Sequence, residues 1–164
     1  MARLLSLAVF FVIAASVPGA DRAEAHGIDT GSVWRGGVEV FSEAQLGKIE
    51  PILKAGRCKD QKKACAYRHD GRPVKESDAD ILVIPWKVSD HPGFLVRPDR
   101  CGAGGCDEGL FVRIGGQWRL LIETFGVLQR QDASTRGFRD LQFRPRGGDP
   151  ITLVWDGTRY RPAD

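Results

Sequence analysis

Cys101 and Cys106 enclose four small residues, Gly102, Ala103, Gly104 and Gly105, and Asp107 and Glu108 follow at once. Close thiols, a glycine run and two carboxylates allow four chemistries. A structural zinc site wants paired cysteines at close spacing with a second matching pair. The other two cysteines, Cys58 and Cys65, have six residues between them, and this pair has four. A phosphate-binding loop needs Lys and then Ser or Thr after its last glycine. Here Asp107 and Glu108 would repel the phosphate. A thioredoxin-type dithiol has two residues between its cysteines. The fourth chemistry, a disulfide that staples a loop, fits best.

The start of the chain supports that choice. "MARLLSLAVFFVIAASVPGADRAEA" has a basic residue at Arg3, an apolar run from Leu4 to Val17, a break at Pro18-Gly19 and a small-x-small site at Ala23–Ala25. This pattern predicts a signal peptide over residues 1–25. The run is too short to span the ~30 Å of a bilayer core. Cleavage after Ala20 is the rival. The expected compartment is periplasmic or extracellular, where paired thiols oxidise and persist. Four cysteines allow three pairings. The local set, Cys101–Cys106 and Cys58–Cys65, is favoured because glycines let a tight ring reach the required backbone angles.

Other residues that carry chemistry are scattered. His69 stands beside Asp70 and His91 beside Asp90, but adjacency in sequence does not make a dyad. Asp107, Glu108 and Glu123 could supply two carboxylates for glycoside hydrolysis. His26 would begin the mature chain, and a terminal amine plus imidazole can hold copper, yet "HGID" reads as a leader. No Gly-x-Ser-x-Gly, His-Glu-x-x-His or Gly-x-Gly-x-x-Gly motif occurs. No catalytic residue, cofactor or metal is expected. The candidate binding loop is Gly102, Ala103, Gly104, Gly105 and Asp107.

The elements that must position this loop are legible. "GLFVRI" and "QWRLLIE" flank Gly115-Gly116, a hairpin signal. "GVLQR", "GFRDLQFRP", "ITLVW", "DILVIPWKV" and "GFLVRP" read as further strands, with Pro85 restricting its strand to an edge or a bulge. Ser42 and Gln45 form a capping box ahead of Leu46, Ile49 and Leu53 on one helical face. Phe41 and Leu46 would staple that helix, Gly56 would end it and Pro51 would split it. Residues 58–80 read as a polar surface excursion. Trp155, Tyr160 and Leu141 are expected in the core, with Arg139 and Asp140 outward or paired locally. The predicted fold is α+β: one N-terminal helical segment on a curved, mostly antiparallel sheet, stapled by disulfides. Residues 26–36 are expected as a flexible leader and 37–164 as a single domain.

The formal net charge of the 164-residue chain is +3. Its arginines are spread, as on the solvated face of strands, and an exported protein of this modest charge is a poor partner for nucleic acid. No stable membrane insertion is expected after signal cleavage.

"CGAGGCDEGLFVRIGGQWRLLIETFG", "STRGFRDLQF" and "WDGTRY" together resemble a family of small exported bacterial domains of unknown function. In that family a Gly-rich Cys-x4-Cys loop precedes a hairpin, then Gly-x-Arg-Asp-Leu, then Trp-Asp-Gly-x-x-Tyr. A more distant likeness is to the periplasmic inhibitors of vertebrate lysozyme, which also carry a Cys-x4-Cys loop ahead of a hairpin. Their loop presents charged and imidazole groups to the lysozyme cleft. Gly102, Ala103, Gly104 and Gly105 have no such groups, so the likeness reaches architecture and stops short of lysozyme inhibition. The expectation is a binding or inhibitor-like module for a periplasmic or extracellular protein or glycan. The alternatives are a structural or envelope-maintenance protein, or a hydrolase of envelope glycans or peptides.

Overall fold

The computed structural model describes residues 27–36, 40–55, 64–103 and 105–164. The expected signal peptide, His26, Gly56, Cys58 and Gly104 lie outside them.

The chain forms β1 (Trp34–Arg35), α1 (Glu43–Lys54), β2 (Cys65–Tyr67), β3 (Ile81–Pro85), β4 (Gly93–Pro98), β5 (Cys106–Ile114), β6 (Gln117–Thr135), β7 (Phe138–Pro145), β8 (Ile151–Trp155) and β9 (Tyr160–Pro162). From β2 to β9 each strand pairs antiparallel with the next, a continuous meander. The expected α+β class holds, with one difference of order: β1 precedes the helix.

The hairpin turn falls where the sequence places it. Gly115 and Gly116 have φ of 59° and 83°, the two positive angles that a two-residue turn of this hand demands. The helix also starts as read. Gln45 N–H donates to the Ser42 hydroxyl, and Ser42 N–H donates back to the Gln45 side chain. Pro51 does not split α1. Pro51 and Gly47 are both exposed, so the carbonyl that loses its donor faces water, and the ring lies on the solvent side.

β6 is one strand of 19 residues, although the sequence suggests two segments parted near Gly126. Gly126 is a change of neighbour along an unbroken strand. β5 pairs with Gln117 to Gly126, and β7 pairs from Gly126 onward. A Cβ on Gly126 would come 2.6 Å from both the Arg144 carbonyl and the Phe143 ring. Glycine is required there because the strands and the ring approach so closely. Pro85 also has a different setting from the one expected. β3 is an inner strand, but its pairing with β2 stops at Val83, so Pro85 has only β4 beside it. The missing N–H therefore breaks no ladder. The polar excursion contains a strand of its own, β2, which forms one end of the sheet.

Residues 27–36, expected as a leader, are docked. Asp29 N–H donates to the Trp118 carbonyl, Leu120 N–H to Asp29, and Gly36 N–H to Glu123, at 3.0–3.1 Å. Trp34 and Arg35 pair in parallel with Ile122 and Glu123. The physical reason is the edge of β6 opposite β5, which would otherwise hold unpaired backbone groups.

The sheet has apolar residues on both faces. Its outer face carries Phe111, Trp118, Leu120, Val83 and Val96 beneath Ile49, Ile52 and Leu53 of α1. On the inner face, Leu95 and Leu110 join one cluster with Leu141, Leu153, Trp155 and Tyr160. Side chains from strands so far apart in the order meet only because the sheet curls. The curl is held across its mouth by Arg139 N–H, which donates to the Val88 carbonyl at 2.6 Å.

Candidate functional site

Cys101 and Cys106 are bonded to each other, with Cα atoms 4.8 Å apart. Cys65 is also in a disulfide, and its expected partner Cys58 lies outside the described residues. Cys106 is buried as the first residue of β5, while Cys101, Gly102 and Ala103 are exposed. Gly105 N–H donates to the Gly102 carbonyl at 3.1 Å across the ring. Gly105 has φ of 123°, and a Cβ there would lie 2.9 Å from Gly126 Cα. The sequence asked for glycine to close the ring. The structure adds a second reason, because the ring lies directly on the backbone of β6.

Asp107 pairs with Phe125 in the ladder. Phe125 and Val127, on either side of Gly126, are 38% and 44% exposed. Among the described residues these are the exposed large hydrophobic side chains. They share the outer face of β6 beyond the cover of α1. Sequence reasoning missed them, although "TFGVLQR" places Phe and Val at alternate positions around the glycine that meets the ring.

The carboxylates do not converge. Register places Glu108 opposite Thr124 and Glu123 opposite Gly109, so Glu108 faces inward while Asp107 and Glu123 face outward. Glu123 is buried and accepts hydrogen bonds from the backbone N–H groups of Val40 and Phe41 just ahead of α1. The Arg35 guanidinium lies 3.9 Å from it. Glu108 accepts from Leu128 N–H at 3.1 Å, and Arg97 lies 3.9 Å away. Both acids tie distant segments together.

The histidine neighbours do not form dyads. The Asp70 carboxylate binds the Arg72 side chain and backbone N–H, and those contacts hold it below the ordinary carboxylate range. Asp90 extends fully into solvent. His91 lies near Phe138, with ring centroids 6.4 Å apart. Among the described residues no cluster of three His, Cys, Asp or Glu side chains is arranged to hold a metal ion.

The C-terminal motifs form a structural clasp. Asp156 accepts from the N–H groups of Arg159 and Thr158 and from the Thr158 hydroxyl. These donors lower its pKa to about 2. The resulting turn lays Tyr160 beside Trp155, and the Tyr160 hydroxyl donates to the Arg139 carbonyl at 2.8 Å. Burial, with Asp140 nearby, pushes the Tyr160 phenol well above its ordinary range. Trp155, Tyr160 and Leu141 are core, as expected. Arg139 is exposed, but Asp140 is buried. It stands where three residues of β6 between Arg130 and Ser134 oppose one of β7, and this irregularity turns it off the outward alternation.

Glu108 gives a pH prediction. Burial raises its pKa above the ordinary 4.5, against the opposing pull of Leu128 N–H and Arg97. The folded protein then holds this proton more tightly than the unfolded chain. Its contribution to stability is present below pH 4.5 and is lost as pH rises through the raised folded value. Glu108→Gln keeps an oxygen for Leu128 N–H and removes the titration. Urea melts across that window are expected to show a shallower fall in stability for the variant than for the wild type. Parallel profiles would mean that Glu108 titrates normally.

No protein-family model matches the chain, and no curated protein or solved structure matches it.

Proposed function

We propose that this chain is an exported binding or inhibitor-like module whose partner is a protein. Its contact surface is the patch formed by the Cys101–Cys106 ring, Asp107, Phe125 and Val127. The observation that carries this reading is the adjacency of a rigid ring to the exposed pair of large hydrophobic side chains on β6. A ring tied by a disulfide and seated on Gly126 loses little freedom on binding. Its exposed residues are small, so a partner can approach the backbone closely. Phe125 and Val127 supply apolar area to bury, and Asp107 supplies a polar rim. The structural-protein and hydrolase alternatives gain no comparable support from the convergence of side chains.

The test is affinity capture from periplasmic extract with the mature protein as bait. Phe125→Asp/Val127→Asp and Cys101→Ser/Cys106→Ser are run in parallel. Both Phe125 and Val127 are exposed, so the first variant is expected to keep its thermal transition. The expected result is one or more proteins captured by the wild type and lost from the Phe125→Asp/Val127→Asp bait. An identical set on both baits would overturn this surface. Retention by the double Cys→Ser form alone would reduce the ring to a staple and leave the contact to β6.

A further inference from the structure

The β3–β4 loop, at the end of β4 and β5 opposite the ring, meets the C-terminal half of β6 and the start of β7 where the sheet curls. Two adjoining clefts lie there and share Lys87, Asp90 and Arg130. One, of about 550 Å³, continues to Ser89, Asp132 and Arg139. The other, of about 390 Å³, continues to Trp86, His91 and Phe94. Together they form a groove that is aromatic at one end and charged at the other.

The groove is built. Arg130 donates to the Lys87 carbonyl at 3.0 Å, and Arg139 donates through its side chain to the Asp132 carbonyl. The Arg139 backbone N–H holds Val88, and the Ser89 hydroxyl accepts from His91 N–H at 3.1 Å. The loop is therefore braced on β6 and β7 before any ligand arrives. These contacts use only some of the guanidinium donors, since each arginine has five. The Lys87 and Asp90 heads stand 4.0 Å apart and are both largely in solvent.

We propose that this groove binds an uncharged oligosaccharide. A sugar ring has an apolar C–H face and hydroxyls that both donate and accept. The groove offers the matching set. Trp86 gives a flat aromatic surface, Lys87, Arg130 and Arg139 are donors, and Asp90 and Asp132 are acceptors. A phosphorylated ligand would meet two carboxylates, and a purely apolar one would strip water from the exposed charged groups of Lys87, Asp90, Arg130, Asp132 and Arg139. Convergent polar groups beside an aromatic wall are the usual composition of a small-ligand site. Neither Phe125 nor Val127 lines either cleft, so the groove would be a second site alongside the protein-binding surface.

The experiment titrates the mature protein separately with cellotetraose, chitotetraose, maltotetraose and inorganic phosphate, read by calorimetry and tryptophan fluorescence. The expected result is saturable binding of at least one tetrasaccharide, with Kd of about 1 mM or tighter, and none of phosphate. Trp86→Ala and Asp90→Asn/Arg130→Gln should each weaken it by about tenfold or more. Asp90→Asn/Arg130→Gln changes exposed groups and keeps the test valid if Trp86→Ala does not fold. Phe125→Asp/Val127→Asp should leave sugar binding unchanged, which separates this site from the protein-binding surface. Failure of all three sugars, binding of phosphate in their place, or undiminished binding by Asp90→Asn/Arg130→Gln would each overturn the proposal.

Discussion

Trp155→Ala is expected to destabilise the protein by about 3–5 kcal/mol, the cost of emptying a buried indole site that cannot fully collapse. Trp155 is 6% exposed. Its ring stacks on Phe138 at 4.3 Å and meets Tyr160 edge-on at 5.3 Å. Phe138 in turn meets Tyr160 at 6.3 Å, so the three rings form a closed triangle in which each supports the other two. Removing Trp155 empties the side of Phe138 and of Tyr160 that faced it, and Tyr160 also holds the Arg139 carbonyl through its hydroxyl. Trp155→Phe keeps one ring and should recover more than half of the loss. Urea melts of the three proteins decide the matter. A loss for Trp155→Ala below about 1 kcal/mol would place Trp155 outside the supporting core.

Glu123→Ala is expected to cost a similar amount, about 3–5 kcal/mol, through a different mechanism. The carboxylate is 1% exposed and accepts from two backbone donors, Val40 and Phe41, in the segment that leads into α1. Alanine leaves those two N–H groups without an acceptor, which costs more than the lost bonds themselves were worth. It also frees the anchor of Phe41, which packs edge-on to Phe111 at 6.2 Å. The helix should therefore loosen locally before the sheet does. Hydrogen exchange of α1 amides is expected to accelerate more than that of β7 and β8. Glu123→Gln keeps an acceptor oxygen and should lose markedly less. Equal losses for Ala and Gln would show that the charge beside Arg35 matters more than the acceptor. A neutral Glu123→Ala would remove the carboxylate from any structural role.

Much of the fold could be read before the structure because its signals are local. The Gly115-Gly116 turn depends on the angles of two residues. The box at Ser42 and Gln45 depends on side chains reaching backbone three residues away. The Cys101–Cys106 ring closes over four small residues in an expected oxidising compartment. Asp156 makes its turn with its own near neighbours. Each of these is decided by atoms within a few residues of one another, so sequence spacing is a direct measure of the geometry.

The site was only half legible. The ring was visible, but its seat was not, since Gly126 looks like a break between two strands until Phe143 and Gly105 are placed against it. Glu123 read as an acidic residue at a strand end, and its burial depends on Val40 and Phe41, more than eighty positions earlier. Glu108 likewise depends on Leu128, twenty positions later.

The sequence by itself determined the class of fold, the hairpin, the helix cap and the short disulfide loop, because each follows from backbone angles and hydrogen bonds among neighbours. The tertiary structure alone decided that residues 27–36 dock on β6, that Phe125 and Val127 are left bare beside the ring, and that Trp86, Asp90 and Arg130 line one groove. The physical reason is that strand edges and sheet curvature set these outcomes. Which residue covers an open edge, and where a helix stops covering a face, depends on segments distant in the chain coming together, and no local pattern of types or spacing encodes that meeting.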